Sequence, residues 1–254
     1  MTTYDETVGS WLYPGNTLSQ HVLQSSLWQL EHTLGLNWWH RQHTCIRIDA
    51  GFGTDANLND LLKQGYLLVA KNQSGRRAGA WGERVEEWTT LMPNRRWVAL
   101  PEQQIQFCRP TRTIAVRWLN QQGKMKHALY VVTDLTSSIV ELAHLYDLRG
   151  GLEVDIREDK QGLLLSHRRK RQWHAQEMLV LLNDLAHNFL IAFRRHVLAD
   201  TPLANFGLYR LVQDVLTIPG QAAFDDHGFV TDLQLLKSHP YAEILADVLP
   251  RLWR

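Results

Sequence analysis

A chain of 254 residues, 44% apolar and 21% charged, has the composition of a globular protein able to bury one sizeable core, or a core with an inserted module. A formal net charge of +1 excludes a uniformly polybasic or polyacidic chain. Two cysteines, Cys45 and Cys108, at no metal-ligand spacing exclude a disulfide scaffold and point to a reducing, cytoplasmic setting with both thiols buried as packing residues.

In chain order, Met1 to Ser10 is polar, without the apolar core of a secretory signal. A turn at Pro14-Gly15-Asn16 precedes a helical pattern over Leu18 to Leu34. Cys45 to Asp49 reads as a short strand broken by Gly51-Phe52-Gly53, followed by a helix over Asn57 to Gln64 and a buried strand over Tyr66 to Ala70. Strand, turn, helix, strand is the grammar of an α/β unit. From Lys71 to Lys126 helical periodicity gives way to short alternating runs such as Thr113 to Leu119, rich in Arg and in Trp81, Trp88, Trp97 and Trp118; this is expected as a β-rich insertion. His127 to Thr133 reads as a strand returning to the main sheet, and helices are expected over Ser138 to Asp159, His174 to His196 and Leu203 to Leu216. The long apolar stretch Met178 to Phe193 is interrupted by Asn183, Asp184, His187 and Asn188 at helical spacing, so it is a helix on a soluble core and no membrane span. The organisation is thus 1–70, 71–126, 127–200 and a helical 201–254.

The small net charge conceals an asymmetry. Between Lys71 and Lys126 stand eleven Arg or Lys against four Glu and no Asp, a candidate surface for a polyanion, although a solvated face with no partner competes evenly with it. A second concentration of chemistry begins at Tyr146. On a helix turning about 100° per residue, Tyr146, Arg149, Glu153 and Lys160 fall within roughly 60° of one another. Glu153 on such a stripe suits a hard divalent cation, Arg149 and Lys160 suit phosphates, and Tyr146 can donate a hydrogen bond beside them. A face laced by ion pairs is the competing reading. Gly150 and Gly151 within that helix each cost up to about 1 kcal/mol against alanine, which makes sense where another backbone approaches closely.

The spacing Tyr146-x2-Arg149-x3-Glu153-x6-Lys160, within Tyr-Asp-Leu-Arg-Gly-Gly-Leu-Glu, resembles the Tyr-Arg-Glu-Lys signature of bacterial insertion-sequence transposases of the DDE class. Two further segments agree: Arg47-Ile48-Asp49-Ala50-Gly51-Phe52-Gly53 resembles the family's second-aspartate strand, and Tyr130-Val131-Val132-Thr133-Asp134-Leu135 resembles the strand returning from its insertion. Asp134 reads as a residue at a helix N-terminus and not as a catalytic acid. The resemblance implies an α/β fold with a partial ribonuclease H-like core, a β-rich insertion and a helical C-terminal region. It implies metal-dependent phosphoryl transfer on double-stranded DNA at transposon ends, with Asp49 and Glu153 holding Mg2+ or Mn2+ and Tyr146, Arg149 and Lys160 on DNA phosphates. It also implies DNA contacts from the insertion, where Trp81 or Trp88 are candidates to stack on a displaced base, with burial as the competing reading of either. Separately, by charge, Arg168 and Arg169 in the basic run after the signature are candidates to extend the phosphate track, a solvated helix end competing evenly. Partners implied are a second copy or a full-length transposase, in a bacterial, nucleoid-associated setting.

A DDE site takes three carboxylates. The acids before Asp49 are Asp5, Glu6 and Glu31; the first two lie in a polar stretch and the third in a helical pattern, so none occupies a strand. The expectation is an N-terminally truncated, catalytically incomplete copy, with a DNA- or transposase-binding fragment, inhibitory or inert, as the alternative.

Overall fold

A computed structural model describes residues 6–93, 95–148, 150–167 and 171–249; within these, the side chains of 150–153, 155 and 167 lie outside the description. The chain forms two compact units, Tyr13–Gly151 and Met1–Leu12 with Leu152–Arg254.

The larger unit is a mixed α/β layer structure. Helix α1 (Ser19–Leu34) places Leu23, Leu27 and Leu30 on one face at i, i+4, i+7 and ends on Gly35, whose φ of 61° gives the left-handed cap. Helix α2 (Trp38–Gln42) starts on an Asn37 capping box. Strand β1 (Cys45–Ile48) leads through the glycine turn to α3 (Asp55–Lys63), whose N-cap Thr54 accepts the Asn57 N–H. Then come β2 (Leu67–Lys71), α4 (Gly75–Gly82), β3 (Thr89–Met92), β4 (Arg96–Ala99), β5 (Arg112–Leu119), β6 (Met125–Val132) and α5 (Ile139–Asp147). The six strands form one sheet in the order β1-β2-β6-β5-β4-β3. Only β1 and β2 pair in parallel; β5 and β6 share eight antiparallel pairs from Arg112↔Val132 to Leu119↔Met125.

Alternation along the strands divides the side chains between two faces. Leu68, Ala70 and Val131 pack under α1 and α3, where Leu58, Leu61 and Leu62 are fully buried; Ala115 and Leu129 pack under Ala78 of α4. The opposite face, with Val69, Val98, Ile114, Val116, Tyr130 and Val132, packs against Leu142, Ala143 and Tyr146 of α5. The strands of 71–126 therefore continue the same sheet as β1 and β2, and that stretch also carries a helix, α4. Helix α5 begins on a Ser138–Glu141 capping box, with the Asp134 carboxylate accepting from the N–H and hydroxyl of both Thr136 and Ser137 just before it. Those bonds hold its carboxyl far below the ordinary carboxylate range, in keeping with a turn-capping role.

Asp55 locks α3 to α4. Arg77 donates to both its oxygens at 3.0 and 2.7 Å, and Asn72 adds a bond of 2.7 Å. The Arg77 bonds lower its carboxyl, against desolvation, with Asn72 assisting. A depressed carboxylate stabilises above its unfolded pKa, about 3.9, and the contribution disappears as pH falls through the folded value. The penalty of Asp55→Asn in urea unfolding, clear at about pH 6, should accordingly shrink at about pH 2; a constant penalty across that range would show that the ion pair carries none of it.

The smaller unit contains α6 (Gly150–Gly162), α7 (Trp173–His196), α8 (Leu208–Arg210), the hairpin β7 (Gly220–Phe224) and β8 (Val230–Leu235), and α9 (Ala242–Val248). Its core gathers Leu190, Ile191, Leu198, Leu203, Leu208, Leu211, Val215 and Leu245. The interruptions in α7 turn inward: Asn183 and His187 are buried, while Met178, Leu181, Leu182, Leu185 and Phe189 are exposed.

Four expectations are corrected. The single helix over Ser138 to Asp159 is two, α5 and α6, with Leu148 in a turn; low helix propensity at Gly150 and Gly151 accounts for an interruption there. The helix over Leu203 to Leu216 is a 3-10 turn (Pro202–Asn205), α8 and a π turn (Leu211–Val215). The C-terminal region, read as helical, contains the β7–β8 hairpin, which turns at Asp225 to Gly228 with Gly228 at φ 83°. Cys45 and Cys108 are free and exposed instead of buried: Cys45 opens an edge strand and Cys108 lies in an irregular segment.

Candidate functional site

Asp49 follows Ile48, which pairs with Ala70, so it stands beside Lys71 at the C-terminal ends of the two parallel strands. That position lets a side chain leave the sheet edge, and ligands of open α/β sheets gather outside the carboxyl ends of parallel strands. The sequence of the turn fixes the acid. Gly51 N–H donates to Asp49 Oδ1 at 2.9 Å, and a Cβ on Gly51 would lie 3.2 Å from that same oxygen. No hydrogen bond among the described residues reaches Oδ2. Gly53 is pressed against β2 so closely that a Cβ there would meet the Lys71 carbonyl oxygen at 1.9 Å.

Strand directions bring the basic residues to the same end. Strands β1, β2 and β5 run one way and β6 and β4 the other, so the strand ends at Asp49 and Lys71 point to the same end of the sheet as Arg96, Arg117, Trp118, Lys124 and Lys126, on its two faces. Lys71 Nζ lies 5.3 Å from the Trp118 ring centre. Arg96 donates to Asp147 at 2.6 Å and to the Tyr130 hydroxyl at 2.8 Å. Burial pushes the Tyr130 hydroxyl well above the ordinary tyrosine range, with the Arg96 charge opposing. Lys71 and Arg117 were not singled out from the sequence, because cross-strand register alone brings them to this end.

The signature residues divide between the two units. Tyr146 is on α5, 5% exposed, with its ring stacked 4.1 Å from that of Tyr130. Arg149, Arg168 and Arg169 lie outside the described residues. Glu153 and Lys160 are both on α6, seven residues apart and so on nearly one line of the helix; the side chain of Glu153 is outside the description, and Lys160 is exposed. The inner side of α6 is anchored. Glu158 accepts the Leu208 N–H at 2.5 Å at the start of α8, where a Cβ on Gly207 would collide with it. Asp159 pairs with buried His187 at 2.8 Å. Trp81 and Trp88 are half-buried beside Ala78, Ala115 and Leu129, with Arg77 6.0 Å over the first ring and Arg117 4.3 Å over the second.

Among the described residues no group of three or more His, Cys, Asp or Glu gathers to hold a metal ion. Asp49 nonetheless offers a hard oxygen donor with one oxygen uncommitted, which suits a cation such as Mg2+ that is held by one or two carboxylates plus water and substrate phosphates. No helix among them is long and apolar enough to cross a membrane.

In comparisons with known proteins, the model of the family described as "Transposase DDE domain group 1" matches residues 2–254. No curated protein matches the chain.

Proposed function

Because the chain belongs to the transposase DDE domain group 1 family, which its match over residues 2–254 shows, we propose that it is a transposase component that binds double-stranded DNA at transposon ends. Its core is proposed to be a partial ribonuclease H-like fold, and the spacing from Tyr146 to Lys160 to be the Tyr-Arg-Glu-Lys signature of bacterial insertion sequences. The observation that carries the reading is the placement of Asp49 beside Lys71 at the sheet end that also bears Arg96, Arg117, Lys124 and Lys126. Phosphoryl transfer asks a protein chiefly for positioned phosphates and electrostatic stabilisation, and a basic sheet end beside a carboxylate supplies the elements of both.

In this reading Asp49 and Glu153 are the carboxylates that would hold Mg2+ or Mn2+. The ion would polarise phosphoryl oxygens and activate the attacking oxygen. Lys71 adds positive charge at the same sheet end, Arg149 and Lys160 would grip phosphates, and Tyr146, whose ring and hydroxyl oxygen are both buried, would join only by loosening its packing. The 254 residues supply two of the three carboxylates that a DDE site takes, so the polypeptide by itself is expected to bind DNA without cutting or joining it. A second reading, a DNA- or transposase-binding fragment acting as an inhibitor, is favoured by β1, which pairs with β2 alone among the described strands and leaves one flank for an added strand.

Purified protein should bind duplex DNA with a steep salt dependence, log K falling by about 0.9 per phosphate neutralised for each tenfold rise in salt, and show no strand cleavage with Mg2+ or Mn2+. Asp49→Asn should bind at least as tightly, since it removes a negative charge beside the phosphates. Failure to bind duplex at low salt would refute the proposal, and metal-dependent cleavage abolished by Asp49→Asn would refute the incomplete-site part of it.

A further inference from the structure

Among the described residues of the larger unit six arginines are half-buried, and five of them have oxygen partners. Arg41 pairs with Glu31, Arg77 with Asp55 and Arg96 with Asp147. Arg109 donates to the Leu62 and Tyr66 carbonyls, and Arg112 to that of Ser137. Arg117 is different. It lies in a cross-strand row, Trp97↔Arg117↔His127, on the sheet face opposite Tyr146. Its guanidinium carbon is 5.1 Å from the Trp97 ring centre and 4.3 Å from that of Trp88. The Trp88 indole is itself fixed by donating to the Val85 carbonyl at 3.1 Å. Among the described residues no carboxylate or carbonyl meets Arg117, and its Nε is buried without a hydrogen bond.

Indole faces attract a guanidinium by its charge but satisfy none of its N–H groups. Stacked rings leave the in-plane edge as the route for a hydrogen-bond partner, and a fork of parallel N–H bonds matches a phosphate. The surroundings carry both signs: Arg95, whose carbonyl accepts the Leu119 N–H, and Lys124 of the β5–β6 turn are cationic, while Glu83 acts on His127 and Glu86 and Glu87 directly precede Trp88. Burial keeps His127 below the ordinary histidine range, Glu83 opposing and Arg117 assisting, so the row holds one cation, on Arg117, at neutral pH.

We propose that Arg117, clamped between Trp88 and Trp97, is a phosphate-oxygen site that receives a DNA backbone phosphate on the sheet face opposite Tyr146. It rests on the DNA-binding reading above and adds a contact that neither the signature nor Asp49 provides.

The test titrates the whole chain with a duplex of arbitrary sequence while following tryptophan fluorescence, with inorganic phosphate as a parallel arm. Arg117→Met, checked for fold by circular dichroism, should weaken duplex binding about tenfold and lower the salt slope by about one. It should also remove the part of the fluorescence change that comes from Trp88 and Trp97. Equal affinity and slope in the wild type and Arg117→Met would overturn the site while leaving the DNA-binding reading intact; absence of duplex binding by the wild type would overturn both. A fluorescence response to inorganic phosphate with unaltered DNA affinity would mark a free-anion site and overturn the backbone assignment. If Arg117→Met fails to fold, Arg117→Lys takes its place: losing the fork but keeping the charge, it should lower affinity about threefold with the slope unchanged, and unaltered affinity would overturn the proposal.

Discussion

Gly53→Ala should destabilise the larger unit by about 3 kcal/mol or more, at or beyond the upper end of ordinary overpacking. The added Cβ would meet the Lys71 carbonyl oxygen at 1.9 Å, the Lys71 carbonyl carbon at 3.0 Å and the Asp49 carbonyl oxygen at 3.2 Å. All three are backbone atoms, so no rotamer change relieves the clash. Relief requires the turn to lift from β2, which breaks the Gln73 N–H to Gly53 carbonyl bond of 2.8 Å and the Asn72 side-chain bond to the same oxygen. Each lost bond to a buried group adds to the cost. In a thermal melt the shift should be roughly 6–12 °C for a unit of this size. Gly79→Ala, where a Cβ meets nothing within 4 Å, is the control and should be neutral or mildly stabilising. A Gly53→Ala protein melting with the wild type would mean that the turn does not sit on β2.

Tyr146→Ala should cost about 3–5 kcal/mol, as for other buried aromatic residues cut to alanine. The ring is 5% exposed, stacked on Tyr130 and surrounded by Val69, Ile114, Val132 and Leu142. Loss of DNA binding in that variant would therefore say nothing about phosphate contact. Tyr146→Phe separates the two roles. It keeps the stack, so unfolding should move little, and it removes only the hydroxyl. One lost hydrogen bond to a phosphate corresponds to a drop in duplex affinity of about two- to tenfold. Unchanged affinity in a stable Tyr146→Phe protein would strike Tyr146 from the DNA contacts and leave it a packing residue.

Much of the larger unit was legible because its signals are local. Cys45 to Asp49, Tyr66 to Ala70 and His127 to Thr133 are apolar runs bounded by turn residues, and they become β1, β2 and β6 within two residues at either end. The periodic pattern of Leu18 to Leu34 and of His174 to His196 likewise gives α1 and α7. Helix α4 was hidden by Gly75, Gly79 and Gly82, poor helix formers; of the three it is Gly82 that lets α4 lie against the sheet, since a Cβ there would strike the His127 ring at 2.4 Å. The inward turn of His187 on α7 was not legible, because it depends on Asp159, twenty-eight residues upstream. For the candidate site, Asp49 could be marked from its glycine turn. Lys71 and Arg117 could not, since their meaning comes from which strands pair and in what register, and not from a motif spacing along the chain.

The pairing pattern of the sheet also sets an order of assembly. The β5–β6 hairpin closes over a short turn and makes eight pairs between neighbours in sequence, so it is inexpensive in chain entropy. Strand β2 must instead find β6 across about sixty residues, as Val69↔Val132 records, and the entropy of closing that loop is spent before its contacts repay it. Among the described strands, β1 joins β2 alone. Folding should therefore begin at the basic hairpin and end at the strand that carries Asp49. The acid-bearing edge is the last part of the sheet to be built and, by the same ledger of contacts, the first to be given up when the protein is stressed.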